Sequence, residues 1–458
     1  MRDYFFTQNQ IDEIREGAMS VLAEIGVKLR PELVDKLKAK GFKAEGDFVR
    51  IEKALSRQKI DSQNSGSSPP EKRRLSTYTS AYSHTYETPE GNFEKITTQS
   101  NAKMGQFIAN LASQFPNLGI APPGHPQDVH GDLQFFRQAV NGFVWCENFH
   151  PMEPTSLKVA PYYFELCDAM GKPVTGLPIY VSSPLSISGE SFEISLAHAN
   201  RLKGAYFHVM PSFGANTPLH MVAAYAQTLA ETVGGAICFE ALTGVPSYYS
   251  TNIFPFDFYD MSMPFGTPEK LLLEWTNFEV CARVGGGKYG GPWATDIHTM
   301  APRAGIQASV EKASLATAGA MRGATSFGCS GTVAMDEVFS PVQLLLDLEM
   351  LGHVQKIVDG MPGGDFDGDL VAEVQKGIQD SYIMSDRTLD NMQDFVWRPN
   401  LFTRKSFGAY ASQPFPLEVE KAMAQIEAVM AMPPCWKLDD KLEAEAERIY
   451  MMASKAVG

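Results

Sequence analysis

The chain has 458 residues, with 39 Lys and Arg against 53 Asp and Glu, giving a formal charge of −14. Its 44% hydrophobic and 20% charged residues are those of a folded soluble enzyme rather than a disordered chain. An acidic chain without a long Lys/Arg run is excluded as a nucleic-acid binder, and its apolar runs are shorter than the ~20 residues that cross a bilayer, so no membrane partner is expected either.

The first zone runs to about Ser100. It opens with an amphipathic helix carrying Ile11, Ile14, Ala18, Val21, Leu22 and Ile25, closed by Gly26. This N-terminus is too charged for a secretory signal. Residues 62–71 (SQNSGSSPPE) read as an exposed loop, and the alternating run from Leu75 to Thr98, with a PEG turn at Pro89–Gly91, reads as a β-hairpin.

The middle zone repeats a short apolar strand, a loop and a helix. Strands are expected at 117–123, 142–149, 175–183, 205–212, 235–242, 247–254, 285–292 and 325–334. Helices are expected at 192–202, 219–233, 268–284, 302–321 and 341–358, with Thr267-Pro268-Glu269 as a helix start. The connection between the fifth and sixth strands is too short for strict alternation. Eight strands alternating with helices still predict an α/β fold, a (β/α)₈ TIM barrel. The third zone, from about Gly360 with a last helix over 438–456, reads as a helical extension packed on the barrel or an oligomer contact. The expected organisation is thus an N-terminal segment of helices and hairpin (1–100), a barrel (101–360) and a C-terminal helical extension (361–458).

The six cysteines are widely spaced and form no CxxC, which suits core thiols in a reducing cytosol. In a barrel, chemistry sits on the loops that follow the strands. Four aromatics within six residues, Phe254, Phe256, Phe258 and Tyr259, either wall a pocket or pack over the barrel mouth. Joined by Tyr249, Tyr289 or Trp293 they would cage a quaternary ammonium, each good contact giving roughly 0.5–2 kcal/mol. Glu240 either offsets substrate charge or holds a loop by hydrogen bonds. Asp296 either caps a helix or takes part in the site. His208, His298 and His353 lack metal-ligand spacing, so no metal is expected. The glycines of GGGKYGG (285–291) let a backbone or a large flat ligand approach closely; no P-loop pattern is present.

Several segments resemble one family. MPSFGANTP (210–218) before an Ala-rich helix, FGTPEKLLL (265–273) with CARVGG (281–286), TDIHTMAPRAGIQAS (295–309) and LLLDLEMLG (344–352) are similar to signatures of the trimethylamine and quaternary-amine methyltransferases that serve corrinoid proteins. The resemblance implies a TIM-barrel enzyme passing a methyl group to the Co(I) corrinoid (cobalamin) of a separate corrinoid-binding protein. The corrinoid would not be permanently bound, with Gly286, Gly287 and Gly290 expected near it. Trimethylamine members carry pyrrolysine, whereas this sequence has only standard residues, which points to members that demethylate quaternary amines, glycine betaine first, then proline betaine or carnitine.

TDIHTMAPRAG departs from the Thr-Asp-Ala-Lys of many relatives, so no role carries over to His298 or Arg303. The expected substrate-binding set is Tyr82, Tyr86, His208, Glu240, Phe254, Phe256, Tyr289, Trp293, Asp296 and His353, with no catalytic residue assigned. Arg303, Lys288, His208, His353, Tyr82 or Tyr86 would meet a betaine carboxylate. A cytoplasmic homo-oligomer is expected. A non-catalytic amine- or corrinoid-binding module and a metal-dependent TIM-barrel lyase using Glu240 and Asp296 remain the alternatives.

Overall fold

The computed structural model describes residues 4–62, 74–287, 291, 294–363 and 365–458. Helix Gln8–Glu24 is opened by a Thr7/Gln10 capping box and buries Ile11, Ile14, Ala18 and Leu22, the apolar stripe legible in the sequence. That stripe lies along the long helix Met221–Thr243. A small antiparallel sheet, Val27–Lys28, Phe48–Arg50 and Lys43–Glu45, covers its end.

Two parallel sheets carry the functional loops. In one, Gly176–Val181 pairs with Gly204–Val209, which pairs with Ser247–Tyr249. In the other, Ala294–Asp296 pairs with Ser326–Gly328, which pairs with Ser76–Thr77. Thr77 extends that order through a parallel bridge to Leu118. The expected hairpin is present as Thr85–Glu87 against Phe93–Lys95, joined to Val338–Phe339 and Thr332–Val333. The molecule is thus a mixed α/β fold. No helix among the described residues is long and apolar enough to cross a membrane.

Several expected elements differ. GAICFEAL (235–242) is not a strand but the continuation of helix Met221–Thr243, which Gly244 ends in a left-handed conformation. Almost every residue from Thr228 to Phe239 is buried, so the run has no polar face to reveal a helical period. The short connection after it was the trace of this error. GFVWCENF (142–149) is also not a strand: it straddles the end of helix Gln134–Trp145. Phe136, Ala139, Val140, Phe143 and Val144 are buried at helical spacing, and a window beginning at Gly142 cuts that pattern. From 117–123 only Leu118 pairs. The strand expected at 285–292 falls instead at Ala294–Asp296, while residues 288–290, 292 and 293 lie outside the described residues. Helices Pro268–Val284, Ile306–Met321 and Pro341–Asp359 lie where periodicity put them.

Candidate active site

The segments that follow the parallel strands surround one cavity of about 1000 Å³. Tyr78–Tyr82, Leu118–Ala121, Tyr180, His208 and Met210, Asn252–Phe254, Asp296 with His298, and Cys329 all line it, as do Asn148–His150 and the Lys270 face of helix Pro268–Val284. Tyr78, Tyr82 and Tyr180 are 44, 45 and 40% exposed, and all three face this space. Phe254 and Phe265 meet at 5.7 Å between ring centroids and continue the aromatic wall. Tyr82 and Tyr180 are hydrogen-bonded to each other, and burial raises the Tyr82 phenol to about 12.

Among the described lining residues three carboxylates, Glu274, Asp296 and Asp336, face one ammonium, Lys270. Lys270 Nζ lies 2.9 Å from Glu274 Oε2 and 6.0 Å from the Phe254 ring centroid. Burial pulls its pKa down, but the Glu274 and Asp296 charges outweigh that and leave it above the ordinary lysine value. Burial likewise works against the Asp336 carboxylate, yet the hydrogen bond from His298 holds it below the usual range. Burial lowers the His208 pKa, and its Nδ1 lies 2.6 Å from Ser250 Oγ. The cavity wall is therefore aromatic and net negative, a surface complementary to a small organic cation.

At one edge Asp296, His298 and Cys329 present a carboxylate oxygen, an imidazole nitrogen and a sulfur, all within 4.8 Å of one another. Asp296 and Gly328 are register partners on neighbouring parallel strands, which brings Cys329 alongside. A side chain at Gly328 would run into the Asp296 carboxylate and the Tyr78 hydroxyl, so the close approach requires glycine. Cys329 holds a left-handed φ of +64°. Its carbonyl accepts from Lys312 Nζ at 2.9 Å, and the fully buried Lys312 also pairs with Asp347, which accepts from Gly331 N.

The cavity gathers Tyr82, His208, Phe254 and Asp296 from the residues expected by sequence. Tyr289, Trp293, Gly290 and Lys288 lie outside the described residues. Gly286 and Gly287 follow helix Pro268–Val284 and do not line the cavity. Four other expected residues are placed elsewhere. Glu240 lies on helix Met221–Thr243, where it pairs with Lys59 at 2.5 Å and accepts from Ser247 N, the loop-holding alternative. Tyr86 is buried, donating its hydroxyl to Pro123 O. Phe256 packs edge-on against Phe258 and does not reach the cavity. His353 stacks edge-on against Trp397, away from it. Tyr78, Tyr180, Lys270, Glu274, Cys329 and Asp336 were not expected. Tyr180 had a signal, the outward position of an alternating strand, and Lys270 and Glu274 the i,i+4 pairing on a helix begun by Thr267-Pro268.

Comparison with known proteins agrees with the motifs. Residues 3–456 match the trimethylamine methyltransferase (MTTB) family. The chain belongs to that family. It is 22% identical to the trimethylamine methyltransferase MttB of Methanosarcina barkeri over 347 residues, 72% of this chain and 66% of that protein, so it spans just under two thirds of that relative. It is 20% identical to the glycine betaine methyltransferase of Desulfitobacterium hafniense over 99% of this chain and 97% of that one. The solved monomethylamine methyltransferase (MtmB) of Methanosarcina barkeri superposes with a TM-score of 0.44 and 12% identity, covering 97% of this chain and 88% of that one.

Proposed function

We propose that this member of the family transfers a methyl group from a quaternary amine, glycine betaine first, to the Co(I) corrinoid of a partner protein, releasing the tertiary amine. The observation that carries the proposal is the cavity wall itself, in which tyrosines and an excess of carboxylates over ammonium groups, counted among the described residues, converge on a space of about 1000 Å³. Full-length similarity to a glycine betaine methyltransferase supports the quaternary substrate. We further propose that the two parallel sheets are arcs of one (β/α)₈ barrel, with residues 361–458 packed on its outside, and that the reaction is cytoplasmic.

The chemistry asks little of acids and bases. The Co(I) electron pair forms the Co–C bond as the C–N bond breaks, and the C–N electrons remain on nitrogen. Cobalt passes formally from I to III and the amine leaves neutral without a proton. The site's work is to place one N-methyl group in line with cobalt and to exclude water, where orientation supplies several kcal/mol. Among the described wall residues, Lys270 is the ammonium that a betaine carboxylate would meet.

The test follows methylcobalamin absorbance with reduced cob(I)alamin, or a cognate corrinoid protein, and glycine betaine, proline betaine, carnitine, choline and trimethylamine in turn. Conversion with a betaine and not with trimethylamine is expected. No conversion with any of the five, corrinoid protein present, overturns the reading.

A further inference from the structure

At one edge of the cavity Asp296, His298 and Cys329 crowd three potential metal-ligand atoms together. His298 Nε2 lies 3.3 Å from Cys329 Sγ and also 3.3 Å from Asp336 Oδ2. A single Nε2 proton serves only one of these contacts, and the other depends on the thiol proton of Cys329. His298 Nδ1 is buried with no hydrogen-bond partner among the described residues, and His298 is only 4% exposed. An orphaned buried polar atom costs about 1–3 kcal/mol.

The backbone is held in a costly shape to keep the arrangement. Cys329 sits at φ +64°, and Ala334 and Met335, just before Asp336, sit at +51° and +59°. A non-glycine residue in this region costs on the order of 1 kcal/mol or more, and such conformations persist where surrounding structure imposes them. Here the surrounding structure is the buried Lys312–Asp347 pair gripping the Cys329 carbonyl and the Gly331 amide.

We propose that Asp296, His298 and Cys329 form a binding site for a zinc-class divalent ion on the cavity wall. Thiolate, imidazole and carboxylate together select zinc over magnesium or calcium. Tetrahedral zinc with these ligands needs donor atoms about 3.3–3.8 Å apart. The Cys329–His298 separation of 3.3 Å is already there, and the full set, within 4.8 Å, closes by side-chain rotation. Three protein ligands leave a fourth position for a solvent oxygen facing the cavity, the pattern of reactive rather than purely structural zinc. Binding displaces the thiol proton, and one thiolate plus one carboxylate neutralise the ion. A cationic substrate in the same cavity is therefore not repelled, and the site stands independently of the methyltransferase reading.

The experiment measures metal directly. The full chain, purified without chelator, is assayed for zinc by mass spectrometry, then stripped and titrated with zinc against a chromophoric competitor. About one zinc per chain, with a dissociation constant below about 1 µM, is expected. Cobalt(II) added to the stripped protein should give a thiolate-to-cobalt charge-transfer band. Cys329→Ser and His298→Gln should lose the zinc, and Cys329→Ser the band as well. Failure to bind zinc, binding unchanged in Cys329→Ser, or cobalt binding without the thiolate band each overturn the proposal. The cobalt spectrum uses the unaltered protein, so it decides the matter even where a variant fails to fold.

Discussion

Tyr180 stands on the outer face of its strand, hydrogen-bonded to Tyr82 and 6.1 Å from the His208 ring, so its ring is a fixed part of the cavity wall. A cation held against that ring is held equally before and during methyl transfer, which makes the contact one of uniform binding. Tyr180→Leu should therefore raise KM for the quaternary amine about 2- to 30-fold with kcat little changed, the span of one contact of roughly 0.5–2 kcal/mol. Tyr180→Phe, which keeps the ring, should leave KM near wild type; steady-state kinetics on both variants separates the ring from the hydroxyl. A second residue reports through stability. Glu231 is fully buried beneath Leu185 N, Ser183 Oγ and Gln227 Nε2, and burial raises its pKa despite those three donors. The folded state thus holds the proton to a higher pH than the unfolded chain. That contribution is complete below about 4.5, the unfolded value, and is lost as pH rises through the folded pKa. Glu231→Gln keeps the shape, lets the Ser183 hydroxyl accept, and removes the ionisation. It should melt higher than wild type at pH 7–8, with the difference shrinking toward pH 4.5, as thermal melts across pH would record.

Helix Met221–Thr243 is the element on which the N-terminal helix and the first parallel sheet both rest, and two adjacent glycines set how closely they come. A methyl at Gly235 would meet Phe207 at 2.7 Å, and one at Gly234 would meet Val27 at 2.6 Å and Leu22 at 2.7 Å. Phe207 is wholly buried and has nowhere to turn. Gly235→Ala should cost about 1–3 kcal/mol by overpacking, read as a lower denaturant midpoint at unchanged slope. The same glycines explain why this element was misread. Glycines within an apolar run break helical propensity and resemble a strand, because their purpose, a close approach between distant segments, is not written locally. Helix Gln8–Glu24, with one wet face, was legible because burial leaves a period, and Pro268–Val284 because Thr267-Pro268-Glu269 marks its start. The site followed the same rule. Asp296, His208 and Phe254 were found because they lie on strands or on the loops after them; Cys329 also follows a strand, Ser326–Gly328, but fell inside the longer strand expected at 325–334, and Asp336 reaches the cavity past the left-handed Ala334 and Met335, which no spacing announces.

The composition zones of the chain are stitched together by packing that crosses their boundaries. Strand Ser76–Thr77, from the first zone, completes the sheet of Ser326–Gly328. From the last zone, helix Glu418–Met430 buries Ala422, Ile426 and Val429 in the core that contains Phe107, Ile108 and Leu345. Helix Asp440–Val457 buries Ala446, Ile449, Tyr450 and Ala453 against Phe136, Val140 and Tyr163, with Arg137 paired to Glu447 at 2.7 Å. Between these anchors lies a stretch of another kind: helix Asp386–Phe395 buries no residue, and Ile378, Ile383 and Met384 are 79, 73 and 74% exposed. Removing everything after Gly360 would uncover the apolar surfaces against which these two helices pack. That truncation should lose the cooperative melt, bind a hydrophobic dye and lose its near-ultraviolet dichroism while keeping helix content. Replacing only residues 366–395 with a flexible Gly/Ser linker leaves both anchors in place. It should melt within a few degrees of the full chain, because segments that bury nothing contribute little to the folded state. A melt of the linker variant as broken as that of the truncation would mean that the exposed helices are held by more than their own contacts, and that the last zone folds as a single unit.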